Sequence, residues 1–526
     1  MLSLLLSRKY AVIILALIVF LSALLRLWNL TIIPVFADEA IYIRWAQIMR
    51  AEETLRFLPL SDGKQPLFMW LAIPILKIVD DPLFAGRLVS VLSGLGVVVG
   101  VFVLTYLLFE SYFLSILSSF IFSILPFSVF FDRFALVDSL LSFFGIWTII
   151  FFVITTKYLR LDTAMIAGFF LGGALLTKSP GIYFALLSPL ILITVAWPRD
   201  FGSFIKRLFK LVCLFLSTYA IAFVMQNILR LGPNFHLISI RNRDYVYPIS
   251  HLITSPLDPL KPFLARNLEY IWIMGTVPLV LMAVVGIFVG IRYYLARLIF
   301  LLAIFFLPIL VSSEFSKVMT ARYIYPSIPY IAIISSLSFL PLKFSNRSDF
   351  FLGRVMSFLK AWSYGALVIT VFVAFVGMAS YQDWLLLTNP EKARLPRSER
   401  SGYLEDWTSG YGIKDAADFL REQYLKDSRT KIVVGTEGYF GTLPDGLQMY
   451  LNDLAEITVV GVGLPIEKIP SQLLESKKSG NLTYLAVNDS RIKINDNSSR
   501  LKLLFSVPKA VRPDGSQERF LFFEVY

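Results

Sequence analysis

Eleven apolar runs dominate this chain, at 10–25, 84–108, 112–131, 135–156, 163–177, 180–197, 209–229, 270–291, 297–312, 323–342 and 361–380. A helix rising 1.5 Å per residue needs about 20 apolar residues to cross hydrocarbon, and most of these runs approach that length. A helix is also the form in which such a run satisfies its own backbone inside lipid. Only 16% of the 526 residues are charged, against about 25% in soluble domains, and 56% are hydrophobic. The expected architecture is a polytopic α-helical membrane protein with about 11 spans, at most 13. The first run has a longer apolar core than a secretion signal, and no small-residue cleavage pattern precedes Arg26-Leu27-Trp28. It reads as a retained span.

The loops orient the spans. With the N-terminus in the cytoplasm, the inner connections are 109–111, 157–162, 198–208, 292–296 and 343–360. They carry Lys157, Arg160, Arg199, Lys206, Arg207, Arg292, Lys343, Arg347, Arg354 and Lys360. That excess of Lys and Arg is the positive-inside pattern. The net charge of +12 therefore reads as topology and contact with anionic lipid, and nucleic acid is not expected as a partner. One cysteine, Cys213, rules out an internal disulfide, and two histidines, His236 and His251, make a poor metal set. A divalent metal stays open but has no support in the sequence, and no cofactor is assigned.

The same parity gathers the remaining ionisable residues on the outer side. Charge near membrane depth is costly, so its convergence on one face predicts a polar site there. The stretch 36–71 is the centre of that face: a polar loop opening with Asp38-Glu39 and reaching Lys64-Gln65-Pro66. Ile41, Trp45, Ile48 and Met49 give helical spacing, so Asp38–Leu58 is expected to form an amphipathic helix. The run 67–79, broken by Pro74, is too short to span and is expected to be interfacial.

Asp38 and Glu39 are the candidate catalytic carboxylates. A carboxylate at a helix start is equally suited to capping and to the helix dipole, so both readings stay open here. Transfer of a sugar to a hydroxyl needs one proton acceptor, and a phosphate leaving group needs no general acid. Lys64, Arg87, Lys178 and Arg322 are the candidate phosphate donors, with Lys317 a further cation on that side. Singly, each is more often a side chain snorkelling at a helix end than a ligand, but all four fall together on the outer side. Asp138, Arg133 and Tyr323 are candidates for supporting the site.

Six motifs then appear in order: ADEAIY, KQPLFMWL, AGRLVS, FALVDSLLSFF, LLTKSPG and RYIYPSIPY. Together, over roughly residues 10–380, they resemble the GT-C glycosyltransferases of the protein O-mannosyltransferase and aminoarabinose-transferase type. The resemblance implies an inverting enzyme using a polyprenyl-phosphate sugar donor (dolichyl or undecaprenyl) and an acceptor hydroxyl on protein, lipid or glycan. It makes Asp38 the base, Lys64 a phosphate contact, Asp138 a donor-site aspartate and Arg322-Tyr323 the pair that begins a late span. It also implies a first outer loop, 28–66, with juxtamembrane helices. Two positions depart from the family pattern: Gln65 replaces the first proline of Lys-Pro-Pro, and Ser179 replaces the glycine of Thr-Lys-Gly. A transporter or flippase of lipid-linked substrates is the alternative.

Residues 385–526 change in character, whereas 1–384 form the expected membrane domain. KDAADFLREQYL reads as a helix, and KIVVGTEG, ITVVGVG, LTYLAVND and RFLFFEVY as strands. A small extracytoplasmic α/β domain is expected. Its glycine-rich stretch GTEGYFGTLPDG lacks nucleotide-binding spacing.

Overall fold

The computed structural model describes residues 8–340, 351–494 and 500–526, with backbone only over 351–362. The chain begins with α1 (Arg8–Leu27) and α2 (Ala37–Ala51), followed by α3 (Leu67–Ile75) and α4 (Pro82–Phe109). Helices α5 (Tyr112–Ser123), α6 (Pro126–Phe131), α7 (Val137–Tyr158) and α8 (Leu161–Thr177) continue the membrane part. Among the described residues, six helices are long and apolar enough to cross a membrane: Arg8–Leu27, Pro82–Phe109, Val137–Tyr158, Phe201–Leu231, Leu295–Phe315 and Ser363–Thr388. Leu260–Met274 and Val277–Tyr293 would add a seventh as one span bent by 109°.

Prolines account for much of the difference from eleven runs. Pro126 starts α6, separating it from α5. Pro326 lies in a 3-10 turn, Ala321–Ser327, ahead of a helix, Ile328–Ser336, whose first turn carries Pro329. Pro180 and Pro189 each open 3-10 turns between 179 and 194. A proline has no N–H and clashes with the preceding turn, so hydropathy alone overstates helix length there. Of the expected inner-face cations, Lys343, Arg347, Arg354 and Lys360 lie outside the described side chains.

Lipid-facing and packed surfaces separate cleanly. On Phe201–Asn227, Phe209, Leu216 and Phe223, seven residues apart, are all more than 60% exposed. Such a stripe suits hydrocarbon and not water. The opposite face meets α8 at Gly168 and Gly172, where a Cβ on Gly168 would lie 2.6 Å from the Thr218 carbonyl oxygen. Small residues four apart allow this backbone approach. Thr218 adds a 2.9 Å hydrogen bond to the Ala164 carbonyl.

The amphipathic helix starts where expected but ends at Ala51, and Pro59 then opens a 3-10 turn, Leu58–Asp62. Towards the C-terminus, β1 (Ile432–Thr436), β2 (Ile457–Gly461), β3 (Leu482–Asn488), β4 (Leu501–Pro508) and β5 (Arg519–Val525) form one sheet in the order β2-β1-β3-β5-β4. The first three neighbours are parallel and β5 is antiparallel to both β3 and β4. The helix Ile413–Lys426 matches the expected one. This region joins the membrane part at the start of α2: Ala37 N–H donates to Thr408, and Gly410 N–H to Val35. Further along α2, Gln47 donates to the Met449 carbonyl.

Candidate active site

Adjacent carboxylates at the start of α2 take different surroundings, because successive helix positions point about 100° apart. Glu39 is fully buried. It accepts from Phe36 N–H at 3.0 Å, from Ala135 N–H at 2.6 Å, and from both Nε and Nη2 of Arg87 at 2.8 Å. The rest of Arg87 donates to the carbonyls of Leu30, Ile33 and Pro34. This ion pair ties α2, the 30–34 turn, α4 and the segment before α7 together. It caps the first turn and fixes where the neighbouring side chain points.

That neighbour is Asp38, with a side chain 21% exposed. Arg322 Nη1 lies 2.7 Å from its Oδ2, and Lys64 Nζ 3.7 Å from its Oδ1. Burial alone would push this carboxyl up, but Arg322 and Lys64 outweigh it and hold it at about 2. Lys64 also sits 3.5 Å from Asp62, which in turn binds Arg241 at 2.5 Å. Its ammonium stands over the rings of Tyr42 and Trp45, at 5.1 and 5.8 Å from their centroids. Burial pushes the Lys64 pKa down, and Tyr42, Asp38 and Asp62 around it more than reverse the shift.

Across the cluster, Lys178 Nζ binds Asp138 Oδ1 at 2.7 Å and stands 4.7 Å from the Tyr323 ring centroid. The other Asp138 oxygen is buried without a hydrogen-bond partner among the described residues. Arg322 stands over Phe36 and Tyr323. Its turn is held by Glu399, which accepts from Ala321 N–H at 2.9 Å. Behind this turn the buried Tyr403 ring packs on Phe36 and Phe134, with centroids at 4.4 and 4.5 Å.

The structure therefore brings together Asp38, Lys64, Lys178, Arg322, Asp138 and Tyr323 from distant parts of the chain. It does not bring Glu39, Arg87 or Arg133 to the same open cluster. Arg87 spends its donors on Glu39 and three carbonyls. Arg133 is buried and donates to the carbonyls of Leu25, Arg26, Trp28 and Asn29. Arg87, expected at the phosphate, and Arg133, expected to support the site, both spend their donors on backbone carbonyls that no helix satisfies. Lys317 donates to the Arg243 carbonyl, away from Asp38. His251 contacts the Asp258 carbonyl and stacks on Tyr247. Among the described residues, no three His, Cys, Asp or Glu side chains group as metal ligands would.

Sequence reasoning missed Asp62, Arg241 and Glu399, which hold the cluster from outside its motifs. The signal for Asp62 was its position two residues before Lys64. Also missed was the buried set Arg26–Asp132–Tyr325, where Asp132 binds Arg26 at 2.8 Å and accepts from the Tyr325 hydroxyl at 2.6 Å. The two departures from the family pattern meet each other: Gln65 Nε2 donates to Ser179 Oγ at 2.9 Å.

The family model for dolichyl-phosphate-mannose-protein mannosyltransferase matches residues 63–223, a stretch that contains Lys64, Asp138 and Lys178. Over nearly its whole length the chain superposes on ArnT from Cupriavidus metallidurans bound to undecaprenyl phosphate, with TM-score 0.58 and 16% identity, covering 99% of this chain and 98% of that one. The fold is that of this ArnT structure. The same ArnT in its apo state aligns with TM-score 0.53 and 16% identity over 98% of both chains. The archaeal oligosaccharyltransferase AglB from Archaeoglobus fulgidus, in complex with an inhibitory peptide and a dolichol-phosphate, aligns more loosely. Its TM-score is 0.46 and its identity 13%, over 91% of this chain and 69% of that one. A search of curated proteins by sequence finds no match. Lys64, Lys178 and Arg322 each keep a partly exposed side chain beside Asp38 or Asp138, and cations so placed can hold a phosphate.

Proposed function

We propose that the chain is an inverting glycosyltransferase that moves a sugar from a polyprenyl-phosphate donor to an acceptor hydroxyl at the outer face of the membrane. The observation that carries this reading is Asp38 held 2.7 Å from Arg322 and 3.7 Å from Lys64, all three partly open to solvent. The ArnT structure of the same fold contains undecaprenyl phosphate, a ligand whose phosphate suits such cations.

The reaction needs one proton acceptor and a stabilised leaving phosphate. The acceptor hydroxyl gives its proton to Asp38 while its oxygen forms the new bond to the anomeric carbon. The bond from that carbon to the phosphate oxygen breaks, and the electron pair leaves with polyprenyl phosphate. Lys64, Arg322 and Lys178 offset the charge that develops there. In the ion-paired state Asp38 is a weak base. A phosphate that draws Arg322 and Lys64 to itself removes the counter-charges from Asp38 and makes it more basic as the donor arrives. Asp138, with one oxygen on Lys178 and one unpartnered, is suited to orient a donor hydroxyl.

The test is release of polyprenyl phosphate by the purified full chain in detergent, given radiolabelled undecaprenyl- and dolichyl-phosphate sugars. Release from one donor that falls by about 10²–10⁴ in Asp38→Asn supports the reading. Full release by that variant removes Asp38 as the base, and no release from any donor by folded wild type overturns the function.

A further inference from the structure

Ring contacts connect the two carboxylate–arginine pairs at the start of α2, and one of the rings comes from far along the chain. The Arg322 guanidinium stands 5.7 Å from the Phe36 centroid, and the Arg87 guanidinium 5.0 Å from that of Phe134. Tyr403 packs on both rings, with centroids at 4.4 and 4.5 Å, and meets Phe130 edge-on at 5.2 Å. It is buried, on the turn Ser401–Glu405 between the helix ending at Thr388 and the sheet. Since Arg87 has its donors engaged, these contacts run from a fixed arginine to one that can change partner.

The segment that carries Tyr403 also holds the backbone on both sides of the open pair. Glu399, itself buried, accepts from Ala321 N–H at 2.9 Å, immediately before Arg322. Ala37 N–H, immediately before Asp38, donates to the Thr408 carbonyl at 3.1 Å, and Gly410 N–H donates to Val35 at 2.8 Å. A Cβ on Gly410 would lie 2.4 Å from the Val35 oxygen, so the two segments meet at bare backbone. From the sheet side, Lys509 Nζ donates to the carbonyls of Asp406 and Ser409 at 3.1 and 2.7 Å. Arg512 binds the Asp406 carboxylate at 3.0 Å. The backbone of both partners is thus pinned. The Arg322 side chain, by contrast, is held by one ion pair and by ring faces, which attract a guanidinium without fixing its direction.

We propose that Tyr403 and Glu399 are positioning residues for the transfer reaction: Tyr403 backs the Phe36 ring on which Arg322 rests, and Glu399 fixes the turn from which Arg322 springs. The proposal rests on the sugar-transfer reading of the Asp38 cluster. With its root pinned and its face on a ring, Arg322 passes from Asp38 to a phosphate by sliding across Phe36. Without that backing the guanidinium swings away for part of the time, and Asp38 and the phosphate both lose a partner. The ring of Tyr403 performs this role, and its hydroxyl is not required.

The experiment uses the full chain in detergent, with undecaprenyl phosphate and dolichyl phosphate as probes, in a double-variant cycle with Arg322. Tyr403→Leu and Glu399→Ala should each weaken lipid-phosphate binding at least fivefold. Tyr403→Phe keeps the ring and Glu399→Gln keeps the acceptor oxygen, so both should stay within twofold of wild type. Gly410→Ala, which pushes the segment off Val35 with every other side chain in place, should reproduce the loss. In an Arg322→Ala background Tyr403→Leu should weaken binding no further, because the group it positions has gone. Glu399→Ala carries the same cycle if Tyr403→Leu does not fold. In turnover, the acid limb of kcat/KM should move up from about 2 towards 3.8 in Tyr403→Leu, because Arg322 is the main group holding the Asp38 carboxyl down. A purely structural role would lower the amount of active protein and leave that limb where it is. Additive losses in the cycle, wild-type binding by both Tyr403→Leu and Glu399→Ala, an unmoved limb, or a Tyr403→Phe as damaged as Tyr403→Leu each overturn the proposal. A non-additive cycle in a wild type that turns over no donor overturns the transferase reading instead. Folded wild type that binds neither lipid overturns both.

Discussion

Asp38 and Glu39 are neighbours in sequence, and each pairs with an arginine, but the two pairs are built for opposite ends. The Glu39–Arg87 pair is closed: both side chains are at most 1% exposed, and both Glu39 oxygens and the Arg87 donors are engaged. The Asp38–Arg322 pair is open, with side chains 21% and 16% exposed, and Lys64 shares the carboxylate. A closed pair resists exchange of partners. An open pair can trade its arginine to an incoming phosphate. The difference teaches that a dipeptide of two carboxylates is one signal in sequence and two environments in space.

The comparison breaks most directly at the carboxylates. Asp38→Asn should cut transfer by about 10²–10⁴, with a stability loss of no more than about 2 kcal/mol. Parallel rate and melting measurements on this variant check it, and a large loss of stability would make Asp38 a structural group like its neighbour. Arg87→Ala should do the reverse, leaving a buried carboxylate unpaired and destabilising the fold by about 3–5 kcal/mol. Denaturation in detergent would show this as poor folding, and a well-folded Arg87→Ala protein lacking only donor affinity would restore Arg87 to the phosphate site.

A pH series sharpens the contrast. Burial raises the Asp38 carboxyl but Arg322 and Lys64 bring it to about 2, below its ordinary 3.8. Its pairing therefore stabilises the fold fully above about pH 4, and that contribution disappears as the pH falls towards 2. At 1.36 kcal/mol per pKa unit it amounts to about 2 kcal/mol. Asp38→Asn should flatten this part of the stability curve. If the donor phosphate takes the cations, Asp38 titrates higher in the complex than in the free enzyme. The acid limb of kcat should then lie above that of kcat/KM. Coincident limbs would mean that the cations never leave Asp38.

What the sequence reveals follows from range. The membrane class, the amphipathic α2 and four of the five strands rest on local periodicity, and they are present. β4 escaped because LKLLFSVP does not alternate and sits after a polar stretch. The motif residues Asp38, Lys64, Lys178 and Arg322 were readable as a set because the charge pattern of the loops assigns them to one side. Burial was not readable. Arg87 and Arg133 look like Arg322 in a string of letters, and only the irregular backbone at 25–34, with its unsatisfied carbonyls, explains why two of the three are consumed as clamps. Asp62 and Arg241 meet across 179 positions, a pairing that no local pattern encodes.

The smallest expected effect tests whether the open cluster depends on a contact peculiar to this chain. Gln65 and Ser179 each replace a residue of the resembled family, and they hydrogen-bond at 2.9 Å, one residue from Lys64 and one from Lys178. Ser179 Oγ in turn donates to Asn242 at 3.3 Å. The Gln65 contact therefore ties the backbone next to Lys64 to the backbone next to Lys178. Removing such a neutral hydrogen bond costs about 0.5–1.5 kcal/mol. Gln65→Ala and Ser179→Ala should each raise the donor KM by roughly that much binding energy, about 2- to 12-fold, with kcat less affected. The double variant should do little more than either alone, because the second change removes a partner already lost. Additive effects in that cycle would show that the two residues act separately. The spacing of Lys64 and Lys178 would then be set by their own ion pairs with Asp38, Asp62 and Asp138.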